Sequence, residues 1–269
     1  MPTTSSGIAF DRAGVRGSTP LLLVHAGIAD RRMWDPVWAS LTAVRDVVRV
    51  DLRGYGSSAA RPSGPLDAVA DVLAVLDHEG IERVDVVGAS FGAGVAVELA
   101  LQRPSVVTSL LLAAPGGSLL AERTDDFAAF AAAENAALEA GDLSAAADAD
   151  VSWWVVGPSR SADAVDPAVR ALVHQMQTRA FELTADWDDV EEVEPEVEPL
   201  DRLDEITVPT TVLVGAHDLL TVHDAAARVV AGVAGAVRVD WPDVAHLPSM
   251  EQPARFVDLV LGRGAGAFS

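Results

Sequence analysis

Three side chains in this sequence could together activate a hydroxyl group: Ser90, Asp218 and His246. A serine attacks a carbonyl only when a base takes its proton, and an imidazole serves best when a carboxylate orients its other nitrogen. Ser90 lies in Gly88-Ala89-Ser90-Phe91-Gly92, a Gly-x-Ser-x-Gly pentapeptide. Val84-Asp85-Val86-Val87 before it predicts a buried strand, and Ala93-Gly94-Val95-Ala96-Val97-Glu98-Leu99-Ala100 after it predicts a packed helix. A serine on so tight a strand-to-helix turn needs neighbours nearly free of side chain, hence the glycines at both ends. The helix N-terminus behind the hydroxyl favours developing negative charge. Five residues alone would equally describe a glycine-rich turn with an exposed serine, so the placement of the partners decides.

In a parallel α/β sheet, reacting groups belong just past the C-terminal ends of the strands. Asp218 follows the predicted strand Thr210-Thr211-Val212-Leu213-Val214, and His246 lies in the loop after Ala236-Val237-Arg238-Val239. The chain order Ser, Asp, His is the one expected for this sheet type. His25-Ala26-Gly27-Ile28 follows the strand ending at Val24 and can offer a backbone N–H opposite the serine turn. Asp243 is the alternative acid, but it shares the loop of His246 only three residues away, and Asp218 is preferred. His217 and His223 lack a third clustered ligand, so no metal site is assigned.

The elements that must hold these groups alternate. Leu21-Leu22-Leu23-Val24 and Val47-Val48-Arg49-Val50 read as strands, Leu66 to His78 has helical spacing, and Ser109-Leu110-Leu111-Leu112 reads as another strand. Strands alternating with helices mean βαβ units and a mostly parallel sheet. Alternation stops after Pro115-Gly116-Gly117, where an alanine-rich helical stretch begins, and resumes at Thr210. The organisation expected is a core of residues 1–117 and 206–269, interrupted at 118–205 by a helical cap and an acidic return linker. The tail from Gly262 is glycine-rich and expected to be mobile.

Composition narrows the function. A net charge of −21 disfavours nucleic acid and anionic membrane surfaces as partners. All 19 basic residues are arginine, so Schiff-base chemistry and a P-loop lysine are excluded. With no cysteine there are no disulfides or thiolate nucleophiles. No signal peptide or membrane span is legible, and a cytoplasmic location is expected. Oligomeric state is not legible. Aromatic residues are few, so Trp34 beside the His25 loop, and Trp153 and Trp154 in the insertion, are candidate walls of a substrate pocket. Trp187 is a weaker candidate, and a place in the core is the alternative for each.

Taken together, His25-Ala26-Gly27, Asp51-Leu52-Arg53-Gly54-Tyr55-Gly56-Ser57, Gly88 to Gly92, Val214-Gly215-Ala216-His217-Asp218 and Ala245-His246-Leu247-Pro248 resemble the α/β-hydrolase fold proteins. The resemblance is to the small esterase, enol-lactonase and cofactor-free haloperoxidase-like group, with Ala26 standing where such proteins have glycine. It covers roughly residues 8 to 262. It implies Ser90 as nucleophile, His246 as general base, Asp218 as orienting acid, and the N–H groups of Phe91 and Gly27 as oxyanion hole. It also implies that His25 shapes the oxyanion loop, that Asp51 and Arg53 form a turn-stabilising charge pair, and that no metal or organic cofactor is needed. The implied fold is an eight-stranded sheet with mostly antiparallel edges under a helical cap. The expected activity is hydrolysis of a small-molecule carboxylic ester or lactone through an acyl-enzyme. C–C bond hydrolysis or perhydrolysis on the same triad, and a non-catalytic ligand-binding role on the same scaffold, stay open.

Overall fold

A computed structural model describes residues 2–121, 123–193 and 197–263; the end of the glycine-rich tail lies outside them. Among the described residues one sheet runs in the order β1-β3-β2-β4-β5-β6-β7. Its strands are β1 (Phe10–Gly14), β2 (Leu21–Val24), β3 (Asp46–Val50), β4 (Val84–Ala89), β5 (Val107–Ala113), β6 (Thr210–Gly215) and β7 (Val237–Trp241). Every pairing from β3 through β7 is parallel, and β1 alone runs antiparallel, against β3. Every residue of β2 and β6 is buried, as their unbroken apolar runs require of strands covered on both faces.

Two expectations about the sheet are corrected. It has seven strands among the described residues rather than eight, and one edge is antiparallel rather than both. The N-terminal segment makes a single bridge, Thr3 with Ala9, across the turn at Thr4–Gly7. At the other edge β7 closes the sheet in parallel with β6.

Helices cover the sheet. α1 (Asp35–Thr42) packs on α9 (Pro253–Val260), and α2 (Ala68–His78) packs on α3 (Phe91–Gln102). The helix-to-strand alternation is broken between β5 and β6 by α4 (Asp125–Glu139), α5 (Leu143–Asp150) and α6 (Pro167–Thr184), each packed on the next. α5 runs directly into a π-helical turn, Val151–Val156, which ends at Gly157 with φ +86°. After the return segment come α7 (Leu220–Gly232), β7 and the short α8 (Pro248–Glu251). Among the described residues no helix is long and apolar enough to cross a membrane.

Candidate active site

Ser90 is the junction between β4 and α3, and its backbone takes φ 51°, ψ −116°. A non-glycine residue held at positive φ costs free energy and persists only where its surroundings impose it. They do so here: Ser90 N–H donates to the Ala113 carbonyl at 2.9 Å, and the Ser90 carbonyl accepts from Ala93 at 2.8 Å and Gly116 at 3.2 Å. The glycines at both ends of the turn are set by close approach. A Cβ on Gly88 would lie 2.3 Å from the Gly92 oxygen, and one on Gly92 would lie 2.5 Å from the carbonyl oxygens of Val24 and His25.

Asp218 and His246 come together on the loops after β6 and β7. His246 Nδ1 lies 3.0 and 2.9 Å from the two oxygens of Asp218, and both side chains are buried. The carboxylate therefore accepts from Nδ1–H and fixes the tautomer, leaving Nε2 as the basic nitrogen. Asp243 is exposed at the start of this loop, and its carbonyl accepts from Arg160 at 3.0 Å. Of the two candidate acids, only Asp218 touches the imidazole ring.

The loop after β2 faces the serine turn. A Cβ on Gly27 would sit 3.4 Å from the Cβ of Phe91, so these two backbones are neighbours. Phe91 opens α3, and its N–H is one of those a helix cannot satisfy from within. His25 is buried behind the loop: its Nδ1 donates to the Ala26 carbonyl at 2.8 Å and its Nε2 accepts from Leu52 N–H at 2.9 Å. With both nitrogens bonded to backbone, and with burial holding its pKa below the ordinary value, His25 is a neutral strut between two loops. The charge pair expected between Asp51 and Arg53 is not formed. Asp51 is bonded to Arg31 and to Ser57 N–H, whereas Arg53 pairs with Asp71 at 2.6 Å.

The insertion reaches the loops of Asp218 and His246 through its π-helical turn. The Trp154 ring lies against the His246 ring, centroids 4.5 Å apart, and its far side meets Phe130 of α4 at 5.1 Å. Trp154 carbonyl also accepts from His246 N–H at 3.4 Å. Trp153 is half-buried next to it. Trp34 is fully buried against Phe256 of α9, in the core rather than beside the serine turn.

Sequence reasoning missed the pair that fastens this turn. Arg160 Nη1 lies 2.7 Å from Glu251 of α8, and the same guanidinium donates to the carbonyls of Val155 at 2.9 Å and Val156 at 2.7 Å. Glu251 also accepts from Ala245 N–H at 2.9 Å, one residue before His246. Both side chains are buried. No local motif marks them; only the contact across about ninety residues of sequence does.

A second buried acid lies one helical turn before Trp154. Burial, and then the neighbouring Glu134 of α4, pushes the Asp150 carboxyl up to about 9. The Glu134 carboxyl is also raised, chiefly by burial. The largest of the described cavities, 690 Å³, is lined by arginines and acids such as Arg31, Arg32, Arg179, Asp30, Asp51 and Glu182, and by none of Ser90, Asp218, His246, Gly27, Phe91 or the candidate tryptophans. Those charges balance. Among the described residues no His, Cys, Asp or Glu cluster could hold a metal ion.

The alpha/beta hydrolase family matches the chain over residues 21–259. A hydrolase from Pseudomonas aeruginosa PA01 superposes with a TM-score of 0.75 at 29% identity, covering 97% of this chain and 96% of that one. An enol-lactonase from Burkholderia xenovorans LB400 gives 0.72 at 23% identity, with coverages of 93% and 94%. The 2-hydroxymuconate semialdehyde hydrolase of Pseudomonas sp. strain CF600 is 34% identical over 108 residues, 36% of this chain and 37% of that protein. The chain spans only about a third of the curated relatives it matches, 29% and 31% for two of them.

Proposed function

Because the chain belongs to the alpha/beta hydrolase family, and is therefore a hydrolase, we propose that it cleaves a carboxylic ester or lactone with Ser90 as nucleophile, His246 as general base and Asp218 as orienting acid. The observation that carries the reading is the buried carboxylate–imidazole pair, 2.9 Å from Nδ1 to Oδ2, on the loops that follow β6 and β7. In the first step Ser90 Oγ bonds to the carbonyl carbon while its proton passes to His246 Nε2. The oxyanion takes hydrogen bonds from Gly27 and Phe91 N–H, the C–O bond to the alcohol breaks, and that oxygen leaves with the imidazole's proton. Water then repeats the sequence on the acyl-enzyme. Residues 118–205 act as a cap, with Trp154 and Trp153 at the substrate side. No step requires a metal or organic cofactor.

A fluorophosphonate probe should label Ser90, and a panel of p-nitrophenyl esters and lactones should show turnover. Absence of both would overturn the proposal. Hydrolysis of a C–C bond in a diketone is the second reading, favoured by the 34% identity to a semialdehyde hydrolase. It predicts that diketones outpace every ester in the same panel.

A further inference from the structure

Tyr55, the chain's single tyrosine, stands in the turn after β3, and the resemblance that singled out this segment gave its side chain no role. Its ring packs edge-on against His25, centroids 4.9 Å apart, behind the loop that carries Gly27. Its hydroxyl lies 3.7 Å from the point a Cβ on Gly27 would occupy. Gly27 in turn borders Phe91, so the phenol oxygen shares one corner of the site with both backbone donors. On its other side Tyr55 lines a 330 Å³ cavity with Gly54, Gln177, Phe181, Trp187 and Glu192.

The hydroxyl forms no hydrogen bond to any described residue, although the side chain is half-buried. The hydroxyl is not sealed from solvent, so it is free to donate to water or to a group that enters beside Gly27. Burial, and then the charges of Glu192, Asp150 and Glu134, hold the phenol well above its ordinary pKa. It therefore keeps its proton throughout the range in which a histidine base works.

We infer that the Tyr55 hydroxyl is a third hydrogen-bond donor at the oxyanion loop, addressed to the acyl oxygen of the ester or lactone that Gly27 and Phe91 hold. The inference rests on the hydrolase reading above. It makes the turn after β3 part of the catalytic site, and the cavity beside Tyr55 the place for the substrate's non-reacting portion.

Because there is one tyrosine, protein labelled isotopically at the tyrosine Cζ gives a single resonance that reports this hydroxyl alone. Wild-type protein is treated with an alkyl p-nitrophenyl phosphonate, whose Ser90 adduct, read by mass, places a P=O oxygen where the oxyanion would lie. The resonance should shift on adduct formation and stay in place when Ser90→Ala is treated likewise. In parallel, Tyr55→Phe keeps the ring on His25 and removes only the donor. Its kcat should fall about ten- to a hundredfold with KM nearly unchanged and the melting temperature held. An adduct that leaves the resonance unmoved, or a Tyr55→Phe variant with wild-type kcat, overturns the inference while the hydrolase reading stands. Failure of wild-type protein to form the adduct overturns both.

Discussion

The two halves of the site are built differently. The half around Ser90 and Gly27 is a product of backbone: a strand, a forced turn, two glycines at contact distance and a helix N-terminus. The half around His246 is a product of side chains brought from far apart, with Asp218 on one loop, Trp154 on the insertion, and Arg160 bonded to Glu251 beneath. The first is stiff because chain geometry allows nothing else. The second is stiff only while its buried charges stay paired.

Removing the Ser90 hydroxyl tests the first half most directly. Ser90→Ala should lower ester turnover by four orders of magnitude or more, at about the level left by binding and oxyanion stabilisation alone, with the melting temperature preserved. A variant retaining a tenth of wild-type turnover would break the assignment.

In the second half, Asp218→Asn should cost about 10⁴-fold in kcat by presenting the wrong tautomer of His246. Asp243→Asn, at an exposed position bonded only through its carbonyl, should leave kcat unchanged. Equal losses in the two variants would erase the distinction drawn between these acids.

The fastening pair comes next. Arg160→Met strands the buried Glu251 carboxylate, and equilibrium denaturation should register a loss of about 3–5 kcal/mol. The double change Arg160→Met with Glu251→Leu should recover much of that stability, because no charge is left uncompensated. If the single variant is as stable as wild type, the His246 half does not depend on charge pairing.

A further test is one of pH. The Asp150 carboxyl is raised from 3.8 to about 9 in the native state, so across that window the folded protein holds a proton that the unfolded chain has released. Stability must therefore fall as pH rises from about 4 to about 9, and level off above it. Asp150→Asn should flatten this slope in thermal melts taken across the range. An unchanged slope would show that Asp150 is ionised in the fold.

The same division explains what could be read from sequence. β2 through β7 and the turn at Ser90 were legible because parallel strands are dominated by apolar, largely β-branched residues, unbroken in β2, and because the turn between β4 and α3 demands glycine at both ends. The order of Asp218 and His246 followed from strand ends. β1 escaped notice because Phe10-Asp11-Arg12-Ala13-Gly14 is a half-exposed edge strand whose charges interrupt any apolar pattern. Trp34 read as a pocket wall because sequence carries no record of which side of a loop a ring takes; Phe256 supplies that answer from the far end of the chain. Arg53, Arg160 and Glu251 were opaque for the same reason. Each is bonded to a partner that local periodicity never mentions.

The seating of Gly157 has a consequence for how such an enzyme can diversify. A Cβ there would lie 2.2 Å from the carbonyl oxygen of His217, so the end of the π-helical turn is moulded to the loop that bears Asp218. An insertion of this kind is not an interchangeable module. The stretch from Trp154 to Arg160 is tied to Glu251 and to the His246 loop, so a change in one calls for a change in the others.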